Sequence, residues 1–231
     1  MQRGLLRMIT ILQAIGHLLP LAVAMAISSV PITAALLILL SPNPGLSPIA
    51  YLSGWIVGIV LFATLFALGA SAVPDHQQRQ PAQLVGLVLI VIGLAMEAFA
   101  IVLWRRSRQA VTHELPKWLL AVGSVRPWQA FSFGVALNLR PKALLLSAAV
   151  GVVMTAQPLP VADSAIAITV YTLISASTVG IPVVFAFVDP QRATPRLVVV
   201  RDWILANNRT VTLLVMVFIG FVIVGTGLSF L

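Results

Sequence analysis

Cysteine is absent from the 231 residues, which excludes disulfides, thiolate metal sites and thiol relay chemistry. Charge is scarce as well. Asp, Glu, Lys and Arg make up 9% of the chain, where a soluble domain carries about 25%, too little to cover a water-facing surface. The three histidines, His17, His76 and His113, lie in separate segments, and none has the spacing of a metal motif. Paired carboxylates are missing, and so is a nucleophile with a base at workable spacing, so no catalytic residue, metal or cofactor is expected and the chain does not read as an enzyme.

Hydrophobic residues are abundant, at 60% with a mean hydropathy of +1.05. Apolar runs recur along the whole length, and a run of about 20 residues crosses about 30 Å of hydrocarbon. The runs predict an all-α integral membrane protein with about six spans, at roughly 14–40, 48–71, 82–104, 128–156, 163–188 and 209–230. Short junctions separate them: Ser41-Pro42-Asn43-Pro44-Gly45, residues 72–81, a basic loop at 105–127, Gln157-Pro158-Leu159-Pro160, and a polar stretch at 189–208. Proline and glycine end helices at such places. Residues 1–231 thus form a single transmembrane domain. Arg3 and Arg7 precede an Ala22-Val23-Ala24 that resembles a signal-peptidase site, but the apolar run continues to Leu40, which predicts an uncleaved first span.

The formal charge of +8 sits in loops between spans, where it sets orientation and argues against nucleic acid as a partner. Arg3, Arg7 and Arg79 fall on one side. Arg105, Arg106, Arg108, Lys117, Arg126, Arg192, Arg196, Arg201 and Arg209 fall on the other. The excess predicts that both termini lie outside the cytoplasm. Leu115 to Trp128 reads as a short amphipathic helix on the cytoplasmic surface. Trp104, Trp118, Trp128 and Trp203 fall near span ends, as interfacial aromatics do.

Two spans are interrupted near their middles, by Ala26-Ile27-Ser28-Ser29-Val30-Pro31 in the first and by Ala136-Leu137-Asn138-Leu139-Arg140-Pro141-Lys142 in the fourth. Proline lacks an N–H and clashes with the preceding turn, so each site is a natural break. Ser28, Ser29 and Asn138 are side chains suited to cap a helix restarting at proline. An offset of 110 residues superposes Pro31 on Pro141 and Ala26 on Ala136, with Ser28 opposite Asn138. An odd number of spans between the breaks inverts the second half. The expectation is therefore a 3+3 inverted repeat, residues 8–104 and 128–231, with broken first and fourth helices, as in many secondary transporters. Two ordinary proline kinks are the plainer alternative.

Arg140 and Lys142 stand near the centre of a span, where a cation costs at least about 2.5–3.5 kcal/mol. Beside a restarting helix they form a candidate anion site; alternatively they snorkel to an interface. Glu97 either pairs with one of them or carries a proton for coupling. His17 reads as a polar contact in the first span or a proton carrier. Gly54 and Gly58 form a small-xxx-small pair suited to close helix approach. Tyr171, Ser175, Thr178 and Pro182 make one polar stripe that either lines a pathway or bonds neighbouring helices.

The run Leu21-Ala22-Val23-Ala24-Met25-Ala26-Ile27-Ser28-Ser29-Val30-Pro31-Ile32 resembles the opening of the actinobacterial GAP/Sap family, the glycopeptidolipid- and sulfolipid-addressing proteins of the lysine exporter superfamily. Ser41-Pro42-Asn43-Pro44, Gly54-Trp55-Ile56-Val57-Gly58 and Asn138-Leu139-Arg140-Pro141-Lys142-Ala143 match in order and spacing. The first motif departs in having Ser-Ser-Val-Pro where the family has Ser-Pro-Val-Pro. The second break inserts Leu139 and Arg140 into an Asn-Pro-Lys-like element. The resemblance implies a six-helix plasma-membrane protein that helps move complex cell-envelope lipids outward. Thiol-transferring relatives need membrane cysteines, and nickel or cobalt exporters carry histidine-rich stretches; neither feature is present.

These readings converge on a transporter of cell-envelope lipids. Its substrate-binding set is Ser28, Ser29, Pro31, Asn138, Arg140, Pro141 and Lys142, with Glu97 for coupling or charge balance. The expected partners are a membrane lipid or lipid-linked substrate, protons as a coupling ion, and a second copy of the chain or a lipid-export partner. An exporter of small solutes such as amino acids or ions, and a scaffold for a larger lipid-export machine, are the rival readings.

Overall fold

In the computed structural model the described residues are 2–71, 82–107, 125–156 and 159–228, and all of their regular structure is helical. In chain order the helices are α1 (Gln2–Ala26), α2 (Ser29–Leu39), α3 (Ser47–Ser71), α4 (Ala82–Ser107), α5 (Pro127–Ala136), α6 (Pro141–Ala156), α7 (Val161–Val188) and α8 (Pro190–Leu228). A 3-10 turn, Leu137–Leu139, joins α5 to α6. Three helices are long and apolar enough to cross a membrane, through Arg7–Ala26, Ser47–Gly69 and Val161–Val188, and the bent pair α5–α6 makes a fourth if taken as one span. Gly86–Val102 and Leu213–Leu228 are shorter apolar stretches within α4 and α8.

Both expected breaks are present, and proline stereochemistry explains them. Pro31 has no N–H for the carbonyl four residues back, and its ring pushes that carbonyl, Ile27 O, out of the helical path. α1 ends at Ala26, Ser28 is extended, and α2 starts with Pro31 in its first turn, where no N–H is needed. At the second break Arg140 is held extended (φ −69°, ψ 146°), because the residue before a proline avoids the helical region. Pro141 then opens α6, and the two pieces meet at 69°.

The capping expectation changes in detail. Ser28 occupies the position before α2 with no side-chain bond to the helix. Asn138 does not cap α6; its Nδ2 donates back to Gly134 O at 3.1 Å, inside the tight turn. Arg140 stands where that cap was expected, because the turn extends one residue beyond Asn138 before the chain straightens.

A second difference concerns residues 189–208, expected as a polar connection. Only Asp189 interrupts the helix there, and α8 runs continuously from Pro190. The reason is tertiary: Ala193, Leu197 and Ile204 share one helical face and bury it against Leu36, with Leu39, Leu40 and Phe185 around them. At 39 residues α8 is about 58 Å long, well beyond the hydrocarbon thickness. The loop at 72–81, most of the basic loop at 105–127, the 115–124 part of the amphipathic helix, and Gln157 and Pro158 lie outside the described residues.

Helix directions follow from which residues meet. α3 runs parallel to α5 and α6: Gly54 abuts Phe131, Gly58 abuts Asn138, and Gly151 abuts Phe66. α1 runs parallel to α7, joined by Arg7 with Asp163, Ala22 with Ser175, and Ala26 with Thr178. α4 and α8 are antiparallel along a glycine seam, with Gly86 facing Gly227 and Gly93 facing Gly220. α2 also packs on α8, and α6 on α4. The main core lies between these layers around Tyr51, Trp55, Leu18, Met25, Leu146 and Tyr171.

Candidate functional site

The two breaks meet. Ile27 O, the carbonyl that Pro31 displaces, accepts a hydrogen bond at 2.9 Å from Lys142 Nζ in the first turn of α6. Lys142 is 6% exposed, and its side chain reaches the end of α1. Its neighbour on the broken end of α1, Ala26 O, accepts 2.7 Å and 2.8 Å bonds from Thr178 Oγ1 and Ser28 N. Cations and hydroxyl donors at a helix C-terminus satisfy orphan carbonyls and complement the negative dipole end. Two members of the stripe on α7, Thr178 and Ser175, thus bond α1, with Ser175 Oγ reaching Ala22 O at 3.5 Å.

Around this junction lies a cavity of about 210 Å³ lined by Ser28, Ser29, Phe99, Arg140, Pro141, Lys142 and Met216. The first residues of α2 and α6, Ser29 and Pro141, both border it, so two positive helix ends face one space. No acid lines it. Arg140 is half-buried and, among the described residues, makes no hydrogen bond or ion pair. None of its five N–H donors is used by a described residue, and guanidinium suits planar, bidentate capture of oxyanions.

Gly58, whose Cβ position would collide with Asn138, is the twelfth of the 23 residues in the apolar stretch Ser47–Gly69. Arg140 follows Asn138 by two residues.

Of the sequence-derived set, Ser28, Ser29, Arg140, Pro141 and Lys142 come together at the cavity. Pro31, Asn138 and Glu97 do not line it. Pro31 is buried, and its carbonyl accepts a 2.9 Å bond from Tyr51 Oη on α3. Asn138 is fully buried in the α3–α5 interface with its Oδ1 unpaired. Glu97 is half-buried on α4, its side chain against Gly220, and among the described residues no ion pair joins it to Arg140 or Lys142. His17 is half-buried on α1 and does not line the cavity.

Three residues were not anticipated. Phe99 and Met216 form the apolar wall of the cavity from α4 and α8. Tyr51 ties the first turn of α2 to α3 and lies 6.2 Å, ring to ring, from Phe133 beside the second break. Its signal was available: a tyrosine hydroxyl inside an apolar stretch gains from an acceptor and in most proteins finds one.

Residues 18–229 match the family described as Sap, sulfolipid-1-addressing protein, over nearly the whole chain. The chain belongs to the Sap family. No curated protein and no solved structure matches it. The matched region spans both breaks and the described residues that line the cavity.

Proposed function

We propose that this Sap-family chain translocates, or assists the export of, cell-envelope lipids, and that an anionic headgroup binds in the cavity between the two helix breaks. The observation that carries this reading is Arg140, a partly buried cation with no hydrogen-bond or ion-pair partner among the described residues, in a cavity whose described lining holds no acid. A cation so placed costs free energy until an anion offsets it. In this reading Ser28, Ser29, Arg140 and Lys142 meet the headgroup. Pro31, Pro141 and Asn138 shape the two breaks, and Glu97 supplies charge balance or proton coupling from α4.

The same reading takes the chain as six crossings in a 3+3 inverted repeat of the lysine exporter type, in the plasma membrane with both termini outside. The pairing of helices supports it. Exchanging the halves carries α1 on α7 into α5 on α3, both parallel, and α2 on α8 into α6 on α4, while α4 on α8 maps onto itself. Rocking of one half against the other would expose the site to each side in turn.

Reconstitution into vesicles with a fluorescent anionic lipid tests the proposal. Arg140→Gln should slow flipping by about tenfold or more, the worth of a hydrogen-bonded charge, and Glu97→Gln should abolish any dependence on a proton gradient. Equal flipping by wild type and Arg140→Gln would remove the site. Export of small anionic solutes is a second reading, favoured by the cavity's size, which suits a headgroup or free ion and leaves acyl chains outside. Uptake of radiolabelled phosphate with no lipid movement would select it.

A further inference from the structure

The two cations of the cavity are not equivalent. Lys142 is already engaged, its ammonium bonded to Ile27 O across 115 residues of sequence. Arg140 is not engaged among the described residues. We infer that Arg140 is the anion receptor, while Lys142 is a positioning residue that staples α6 to the end of α1 until an anion in the cavity competes for it. This inference rests on the anionic cargo proposed above.

The stereochemistry makes the staple specific. Ile27 O is the single carbonyl that Pro31 denies its helical partner, so it is a strong acceptor left without an N–H. Ala26 O, next to it, already has Thr178 Oγ1 and Ser28 N. Lys142 is the donor that reaches Ile27 O, and it links the two discontinuities directly. On the other side of the break, Tyr51 Oη holds Pro31 O from α3. The ends of α1 and α2 are thus pinned to α7, α6 and α3, and of the three pins only Lys142 borders the cavity.

An oxyanion beside Arg140 offers Lys142 a charged acceptor in place of a neutral carbonyl. A charge-assisted bond to an anion is roughly twice as strong as one to a neutral group, so the ammonium turns from Ile27 O to the cargo. The end of α1 is then released from α6 at the moment the cavity fills. Occupancy and helix release become one event, which ties movement of the two halves to the presence of cargo.

The absence of cysteine allows clean labelling. Val23→Cys on α1 and Leu139→Cys beside the second break are both exposed and take spin labels flanking the junction. Distance distributions and binding are measured on the full chain with inorganic phosphate and, separately, with short-chain phosphatidic acid. Wild type should give a narrow distribution that broadens with a probe. Broadening by phosphatidic acid alone identifies a lipid headgroup as the cargo, and broadening by both identifies the shared phosphate chemistry.

Lys142→Met should be broad without any probe and should bind more weakly than wild type, but by less than Arg140→Gln, because the lost bond to the anion is partly offset by the bond to Ile27 O that no longer has to break. Arg140→Gln should stay narrow and bind about tenfold more weakly or worse. Lys142→Arg, which keeps a cation able to reach Ile27 O, should restore the narrow state; a broad Lys142→Arg would mean the side chain matters only for packing and would overturn the staple. So would a narrow Lys142→Met, or a loss of binding in Lys142→Met equal to that in Arg140→Gln. Failure of wild type to bind either probe would overturn the anion-transport reading instead, since the probe-free comparison of wild type with Lys142→Met still tests the staple.

Discussion

The helix pairs α1–α7 and α3–α5 hold their partners in different ways, although both run parallel and both flank a broken helix. α1 is tied to α7 by side chains: Arg7 Nε donates to both carboxylate oxygens of Asp163 at 2.9 Å, and Ser175 and Thr178 reach carbonyls of α1. α5 lies directly on α3, backbone on backbone, through Gly54, Gly58 and Gly134, which leave room for Phe131, Asn138 and Tyr51. In lipid the hydrophobic effect does not drive helices together, so close packing and polar bonds are the two remaining means, and each pair relies mainly on one. A glycine contact is intolerant of added atoms. A polar tie can be weakened one bond at a time.

The sharpest way to break this comparison is to fill the glycine contact. Gly54→Val would drive a side chain into the Phe131 carbonyl with backbone on both sides, a clash that no rotamer relieves. Overpacking of this kind costs about 3 kcal/mol or more, so the variant should be recovered in aggregated form on size exclusion in detergent. A monodisperse, heat-stable Gly54→Val would show that α3 and α5 are less tightly docked than described.

The next largest effect belongs to the ion pair, and the two partners should not behave alike. Asp163 is 1% exposed, whereas the Arg7 side chain is 59% exposed. Arg7→Gln strands a buried carboxylate, while Asp163→Asn leaves an arginine that water can solvate. Thermal unfolding should therefore show the larger loss for Arg7→Gln, with the double variant close to Asp163→Asn. Equal losses would mean that Asp163 has other support.

Smallest is Thr178→Val, which removes one neutral hydrogen bond to Ala26 O, a carbonyl that keeps its bond from Ser28 N. Such bonds contribute about 0.6–1 kcal/mol in a membrane protein, or about 2 °C in the thermal midpoint for a chain of this size. A much larger drop would move Thr178 from a helix tie to a part of the junction itself.

The places where helices stop were legible because they are local. Pro31 and Pro141 act on the carbonyls four residues back, and no distant contact is needed to predict that. The glycine pair Gly54 and Gly58 was readable for a similar reason, since small residues at that spacing line one helix face. Asn138 was legible as a polar residue at the break but not as a residue packed on α3, because its role depends on which helix lies against Gly58. The length of α8 was hidden too. Its first turns read as polar, and only burial of Ala193, Leu197 and Ile204 against α2 makes them helical.

Composition and proline placement by themselves determined an all-helical chain of apolar segments with two discontinuities, since hydropathy and backbone stereochemistry act over a few residues. Tertiary structure decided what those discontinuities do. Lys142 and Ile27 are 115 positions apart, and Arg7 and Asp163 are 156 apart. No periodicity or propensity links such pairs, because a hydrogen bond across that separation exists only once helix packing has brought donor and acceptor within about 3 Å.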